Sequence, residues 1–192
     1  MKILFQIRFL FLLIFLILSY SCEKEDNLNN GEQPVYFQYS YLNIAWGYQN
    51  SGWLIDNKGN VNYYNMPDHW RKGDNDGISY DDLNFNLSQT DSIITRIDPL
   101  ILKEKIKLIK YAINGEMSQK IHTAYDAGSS TLLAYYYDSN TKKYRTVILA
   151  ESGDISCYNK DTAAMQLTNW LKQFGVLCLA KSCLIKSLLS AN

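Results

Sequence analysis

The sequence predicts an α+β fold: an antiparallel sheet from two β sections, with an inserted helical pair between them and a C-terminal helix packed on it. Three observations predict it. Segments near 35–65 and 131–150 are rich in aromatic and β-branched residues. The strongest helical stripe, 99–114, lies between them. A capped, amphipathic segment at 162–174 follows the second section.

In the first β section, Phe37, Tyr39 and Tyr41 alternate with Gln38 and Ser40 within Val35 to Trp46. That period of two belongs to a strand with one buried face. Gly52 to Asn65 reads as a hairpin, with Trp53 and Ile55 on one arm and Val61 and Tyr63 on the other. Asp56-Asn57-Lys58-Gly59-Asn60 supplies the turn, because Gly59 is free to take a positive φ. Met66 to Gly77 is a polar loop. A helix is expected to start near Ser79, whose hydroxyl caps the amide of Asp82, with Leu83 and Leu87 on one face.

The helix of Pro99 to Asn114 carries the clearest pattern. Asp98 is its N-cap and Pro99 its first residue. Leu102, Ile106, Ile109 and Ile113 form one apolar stripe, and Gly115 is expected to end the helix in the left-handed conformation. Thr131 to Tyr137 and Tyr144 to Ala150 form a second hairpin across Asp138 to Lys143. The last helix, Thr162 to Phe174, is capped by Asp161, buries Ala163, Leu167, Trp170, Leu171 and Phe174, and is expected to stop at Gly175. An apolar tail, 176–192, carries only Lys181 and Lys186 as charges.

The N-terminus carries an address. Lys2 and Arg8 precede an unbroken apolar run from Phe9 to Leu18, and Ser19, Tyr20 and Ser21 lead into Cys22. Charge, apolar core and small residues in that order make a signal peptide over residues 1–21. Its apolar run is about half the roughly 20 residues of a membrane span. Leu18-Ser19-Tyr20-Ser21-Cys22 resembles the lipobox of lipoproteins cleaved by signal peptidase II, although Ser19 and Tyr20 depart from the usual leucine and small residue. The resemblance implies lipidation at Cys22. Several acyl chains, at about 0.8 kcal/mol per buried methylene, make a stable membrane anchor. Cys22-Glu23-Lys24-Glu25-Asp26 resembles the export signal that sends Bacteroidetes lipoproteins to the cell surface, which implies an outer-membrane anchor facing the cell exterior. Residues 22–34 then form a polar, flexible tether, reaching roughly 40 Å when extended. The single domain spans 35–175.

Composition removes some function classes. Without Lys2 and Arg8, the chain's 19 basic residues fall to 17 against 19 acidic, a formal net charge of −2 with no basic stripe. A nucleic-acid partner has no electrostatic basis in this chain. No P-loop, dinucleotide fingerprint or nucleophile elbow occurs, so neither a cofactor nor catalytic residues are expected. The two histidines, His69 and His122, fall in no zinc spacing. Asp74, Asp76, Asp81 and Asp82 are the candidate metal ligands, but an EF-hand register places Lys72 and Leu83 where the key carboxylates belong. Cys157 bridges Cys178 or Cys183 in one reading; in the other, all three are small buried thiols.

Ala45-Trp46-Gly47-Tyr48, Ile55 to Val61, Asp74 to Gly77, Asn86 to Asp91, Asp126-Ala127-Gly128 and Trp170-Leu171-Lys172 follow in an order that resembles a family of small, functionally uncharacterised lipoproteins of gut Bacteroidetes. The resemblance covers about Val35 to Phe174 and transfers no functional residue. Such chains stop near the Trp-Leu-Lys helix, so the tail is a departure. The tyrosines, among them Tyr36, Tyr39, Tyr41, Tyr48, Tyr63, Tyr64 and Tyr135 to Tyr137, concentrate in the strands. Rigid rings with polar tips suit recognition of a protein or glycan. The expected function is therefore a non-enzymatic binding module, with an envelope hydrolase as the alternative.

Overall fold

The computed structural model describes residues 33–189, with side chains described through Gly175. The expected signal peptide, the expected lipidation site Cys22 and the expected tether up to residue 32 lie outside the described residues, as do the side chains of the apolar tail. Gln33 and Pro34, expected to belong to the tether, are instead buried in the domain, and Gln33 Nε2 donates to the carbonyls of Val35 (2.7 Å) and Tyr135 (3.0 Å).

The fold is α+β. Strands β1 (Val35–Asn43), β2 (Gln49–Asp56) and β3 (Asn60–Asn65) form the first section. Helix α1 (Tyr80–Ser88), strand β4 (Ser92–Arg96) and helix α2 (Pro99–Ala112) follow. Strands β5 (Ile121–His122), β6 (Ser129–Asp138), β7 (Lys143–Gly153) and β8 (Ile155–Tyr158) precede helix α3 (Thr162–Leu189). The two sections join in one eight-stranded antiparallel sheet of order β4-β3-β2-β1-β6-β7-β8-β5. The joint is β1 against β6, in the register Phe37↔Ala134 to Leu42↔Ser129.

Local chemistry explains the elements. Ser79 Oγ accepts from the Asp82 amide at 3.1 Å, as the cap expectation requires. Asp98 accepts from the amides of Leu100 and Ile101, and Asp161 from those of Ala163 and Ala164. In the β2–β3 turn, Asp56 Oδ1 accepts from the amides of Lys58 (2.9 Å) and Asn60 (2.8 Å). Gly59 there has φ 82° and sits so close to the Ile97 carbonyl that a Cβ would stand 2.7 Å from its oxygen.

Three sequence expectations are corrected. Helix α2 ends at Ala112, and Gly115 is not left-handed. Gly115 is needed for space instead, since a Cβ there would meet Asn159 Oδ1 at 1.9 Å. Asn159 Nδ2 takes the Ala112 carbonyl at 2.9 Å, so the helix end is satisfied from the far side of the second β section. Helix α3 does not stop at Gly175 but runs on to Leu189. A glycine there has an ordinary helical alternative at a cost of about 1 kcal/mol relative to Ala. Strand β4 is the third correction: Ser92–Arg96 pairs with β3 between the two inserted helices. Among the described residues, no helix is long and apolar enough to cross a membrane.

Both sheet faces carry a core, where a sheet covered on one face only was expected. On the first face, Phe37, Trp53, Ile55, Val61, Ala134 and Val147 pack against Leu102 and Ile109 of α2 and Leu167, Leu171 and Phe174 of α3. On the second, Val35, Leu54, Tyr64, Tyr135 and Tyr144 pack against Ile78 and Leu83. Trp53 and Ile55 face one way and Leu54 the other because side chains alternate along a strand. Tyr135, Tyr136 and Tyr137 divide between the faces for the same reason. On the second face the Tyr135 hydroxyl donates to Gln38 Oε1, and Gln38 Nε2 donates to the Tyr64 hydroxyl at 3.4 Å. Burial pushes both phenols well above their ordinary value, which keeps them protonated.

The α2 stripe lies in the core: Leu102 and Ile109 are buried, and Ile106 and Ile113 pack half-buried beside them. Ile109→Ala is expected to cost about 2–5 kcal/mol from lost burial and a cavity, and Ile106→Ala less. The midpoint of chemical denaturation measures both. Equal shifts, or none, would contradict this packing.

Candidate functional site

At one end of the first sheet face, beside the described side chains of α3, a cavity of about 810 Å³ opens. Its floor is two rows of side chains set by strand register. Tyr63, Trp53, Tyr39, Leu132 and Ala150 are successive cross-strand neighbours on β3, β2, β1, β6 and β7. One step nearer the strand ends, Ser51, Tyr41, Ser130 and Ser152 repeat the arrangement. All nine line the cavity, because directly opposed residues of an antiparallel sheet share a face. Leu171, Lys172 and Gly175 of α3 form a wall, and Ile121, Ser156 and Cys157 close the side nearest β5 and β8.

The floor is held rigidly. Tyr39 stacks on Trp53 with ring centroids 5.9 Å apart, and Phe174 meets Trp53 edge-on at 5.8 Å. The Tyr39 hydroxyl is hydrogen-bonded to Ser130 Oγ at 3.1 Å. Trp53 is fully buried, yet its indole Nε1–H has no acceptor. Such an orphaned donor costs about 1–3 kcal/mol and calls for an explanation.

Two loops flank the cavity's outer end. The β1–β2 turn presents Ile44, Trp46 and Tyr48, with Trp46 76 % exposed. The β5–β6 loop presents Tyr125, 85 % exposed. Buried Asn43 joins them: its Oδ1 accepts from the Ala45 amide at 2.8 Å, and its Nδ2 donates to the Asp126 carbonyl at 3.1 Å. The Tyr41 hydroxyl adds a bond to the Ala127 carbonyl at 3.3 Å.

Reactive groups are few in this cavity. Cys157 is a buried free thiol whose Sγ lies 3.7 Å from Glu151 Oε2. Burial pushes its pKa up, and the Glu151 carboxylate pushes it further. A thiolate is therefore disfavoured twice, and no imidazole lines the cavity to act as a base. His122 follows the lining residue Ile121 on β5, is exposed, and packs on the Tyr125 ring at 4.3 Å. His69 is exposed in the loop before α1. Asp126 presents its backbone carbonyl to Asn43 Nδ2.

The candidate metal residues lie elsewhere, around cations of the chain itself. Asp74 pairs with Lys143, and Asp82 with Ser79 and, at 3.0 Å, Arg71. The hydrogen bond from Lys143 holds the Asp74 carboxyl below the usual range, and the bond from Ser79, aided by Arg71, does so for Asp82. Asp76 and Asp81 are exposed. The Lys143 ammonium sits in the field of Asp74, Asp76 and Asp82, where a metal would have to be. Among the described residues, no group of three or more His, Cys, Asp or Glu side chains is placed to hold a metal ion.

The sequence placed Trp53 on a hairpin arm and Leu171 on a buried helix face, and marked Cys157 as a thiol and the tyrosines for recognition, but not as one lining, because their juxtaposition depends on pairing β1 with β6. No protein-family profile matches this chain, and no curated protein or solved structure is similar to it.

The buried thiol gives a direct test. With Cys22, Cys178 and Cys183 replaced by Ser, Cys157 in the folded chain is expected to react with iodoacetamide at least about tenfold more slowly than in guanidinium. Glu151→Gln removes the neighbouring charge and should speed the folded reaction. A folded rate equal to the denatured one would overturn the assignment.

Proposed function

We propose that this chain is an envelope lipoprotein, anchored through lipid on Cys22 and displayed at the cell surface, whose domain binds a partner without catalysis. The signal peptide, the lipobox-like Ser19-Tyr20-Ser21-Cys22 and the Lys24-Glu25-Asp26 run support the address. We place it with the gut Bacteroidetes lipoproteins it resembles. The observation that carries the binding role is the aromatic-floored cavity, which has a rigid tyrosine and tryptophan row, a line of serines and, among its described lining residues, no histidine. Pockets of roughly 300–1,000 Å³ with a mainly apolar lining and a few placed polar groups are typical of ligand sites.

Cys22→Ala is expected to abolish incorporation of an alkynyl fatty acid and release the protein from membranes. Protease treatment of intact cells should remove the wild-type domain, and replacing Lys24, Glu25 and Asp26 by Ala should protect it. Labelling of wild type and Cys22→Ala to the same extent would reject the anchor. Cleavage only after lysis would reject surface display.

The non-catalytic reading predicts that a folded His69→Gln/His122→Gln variant keeps its function, because neither imidazole lines the cavity. Complete loss in that variant would turn the assignment toward a hydrolase.

A further inference from the structure

We propose that the cavity takes the end of a neutral oligosaccharide, with the two aromatic loops carrying the sugars beyond it. The inference rests on the binding reading above and names its ligand.

Two properties of the cavity select this chemistry. The first is charge. Among the described lining residues, Glu151 and Lys172 are the only ionisable groups charged at neutral pH, one of each sign. An anionic ligand, which needs a cluster of cations, finds one lysine offset by one carboxylate. The second is the alternation of rings and hydroxyls. Tyr39, Tyr41 and Tyr63 offer ring surface, while Ser51, Ser130, Ser152 and Ser156 offer hydroxyls that both donate and accept. A purely apolar ligand would strip water from these hydroxyls and return nothing. A sugar ring has an apolar C–H face for the tyrosines and a rim of hydroxyls for the serines.

The ligand's length follows from the loops. Tyr41 and Ser51 line the cavity, and Asn43↔Gln49 is the next pair facing that way. The turn bearing Trp46 and Tyr48 therefore begins within about 7 Å of the lining. Tyr125 stands on the other loop, which Asn43 ties to the same strand end. A lone monosaccharide would leave these exposed rings unused, whereas a chain leaving the cavity crosses them.

The test uses the full mature chain with Cys22→Ser, on an array of neutral, sialylated and sulfated oligosaccharides, with the uncharged dye Nile red as a separate probe of the cavity. Neutral hexasaccharides are expected to bind, and binding should quench tryptophan fluorescence. Ser130→Trp, which fills the floor, should abolish both glycan and dye binding. Because that variant risks the fold, Trp46→Ala/Tyr125→Ala serves as the second: both side chains are exposed, and their loss should weaken a hexasaccharide about tenfold or more while sparing the dye. Dye binding that Ser130→Trp removes, with no neutral glycan bound, would overturn the sugar assignment and leave the binding site standing. Capture of sulfated or sialylated glycans alone would overturn it too. Neither dye nor glycan bound would overturn both readings. A hexasaccharide affinity unchanged in the loop variant would remove the loops from the site.

Discussion

The structure depends on the antiparallel pairing of β1 with β6. Strands β1–β3 and β6–β8 are local hairpins, each of which could form alone but would be marginal in water. The seam from Phe37↔Ala134 to Leu42↔Ser129 makes one sheet of them and continues each hydrophobic row across the middle. Phe37 and Ala134 place their side chains under α2 and α3, while Tyr135 reaches Gln38 on the other face. A one-residue slip at this seam would send each of these to the wrong face. The bulges near Val35/Phe37 in β1 and opposite Leu132/Leu133 in β7 flank the seam and bend the sheet there.

The cavity follows from where the helices end up. The rows of side chains on the first face run the whole length of the strands, but the described side chains of α2 and α3 reach only as far as the row of Tyr39, Trp53 and Leu132. One row further, Ser51, Ser130 and Ser152 flank Tyr41, and the face opens. The same strand ends carry the Trp46 and Tyr125 loops, so the recess and its aromatic surround share one structural origin.

What the sequence revealed, and what it hid, divide along the distance between interacting residues. The caps Ser79, Asp98 and Asp161 act on amides two or three residues away and were legible. So were the two hairpins and the alternation at Phe37, Tyr39 and Tyr41. Gly115 and Gly175 were misread because each resembles a local stop; the first answers to Asn159, and the second lies within a helix that continues. Strand β4 offers only Ser-Ile-Ile-Thr-Arg, and its identity comes from β3. The second core face was hidden for a similar reason: the loop bearing Trp70 looks polar, yet its indole lies 4.2 Å from the Tyr64 ring. The cavity joins residues from positions 39 to 175, and no local pattern marks Ser130 or Cys157 as its lining.

The direction of β1 has a mechanical consequence. The chain enters the domain at Gln33, pinned to the Tyr135 carbonyl, and β1 then runs to Asn43 at the opposite end of the sheet, beside the cavity mouth. Tension between the incoming chain and anything held at that mouth is directed along β1. The strand is hydrogen-bonded to β2 on one side and β6 on the other, so such a load shears two ladders at once. Their bonds lie across the pull and must fail together, whereas a strand loaded at right angles would unzip one pair at a time. The domain is braced along the line that joins Gln33 to the cavity mouth.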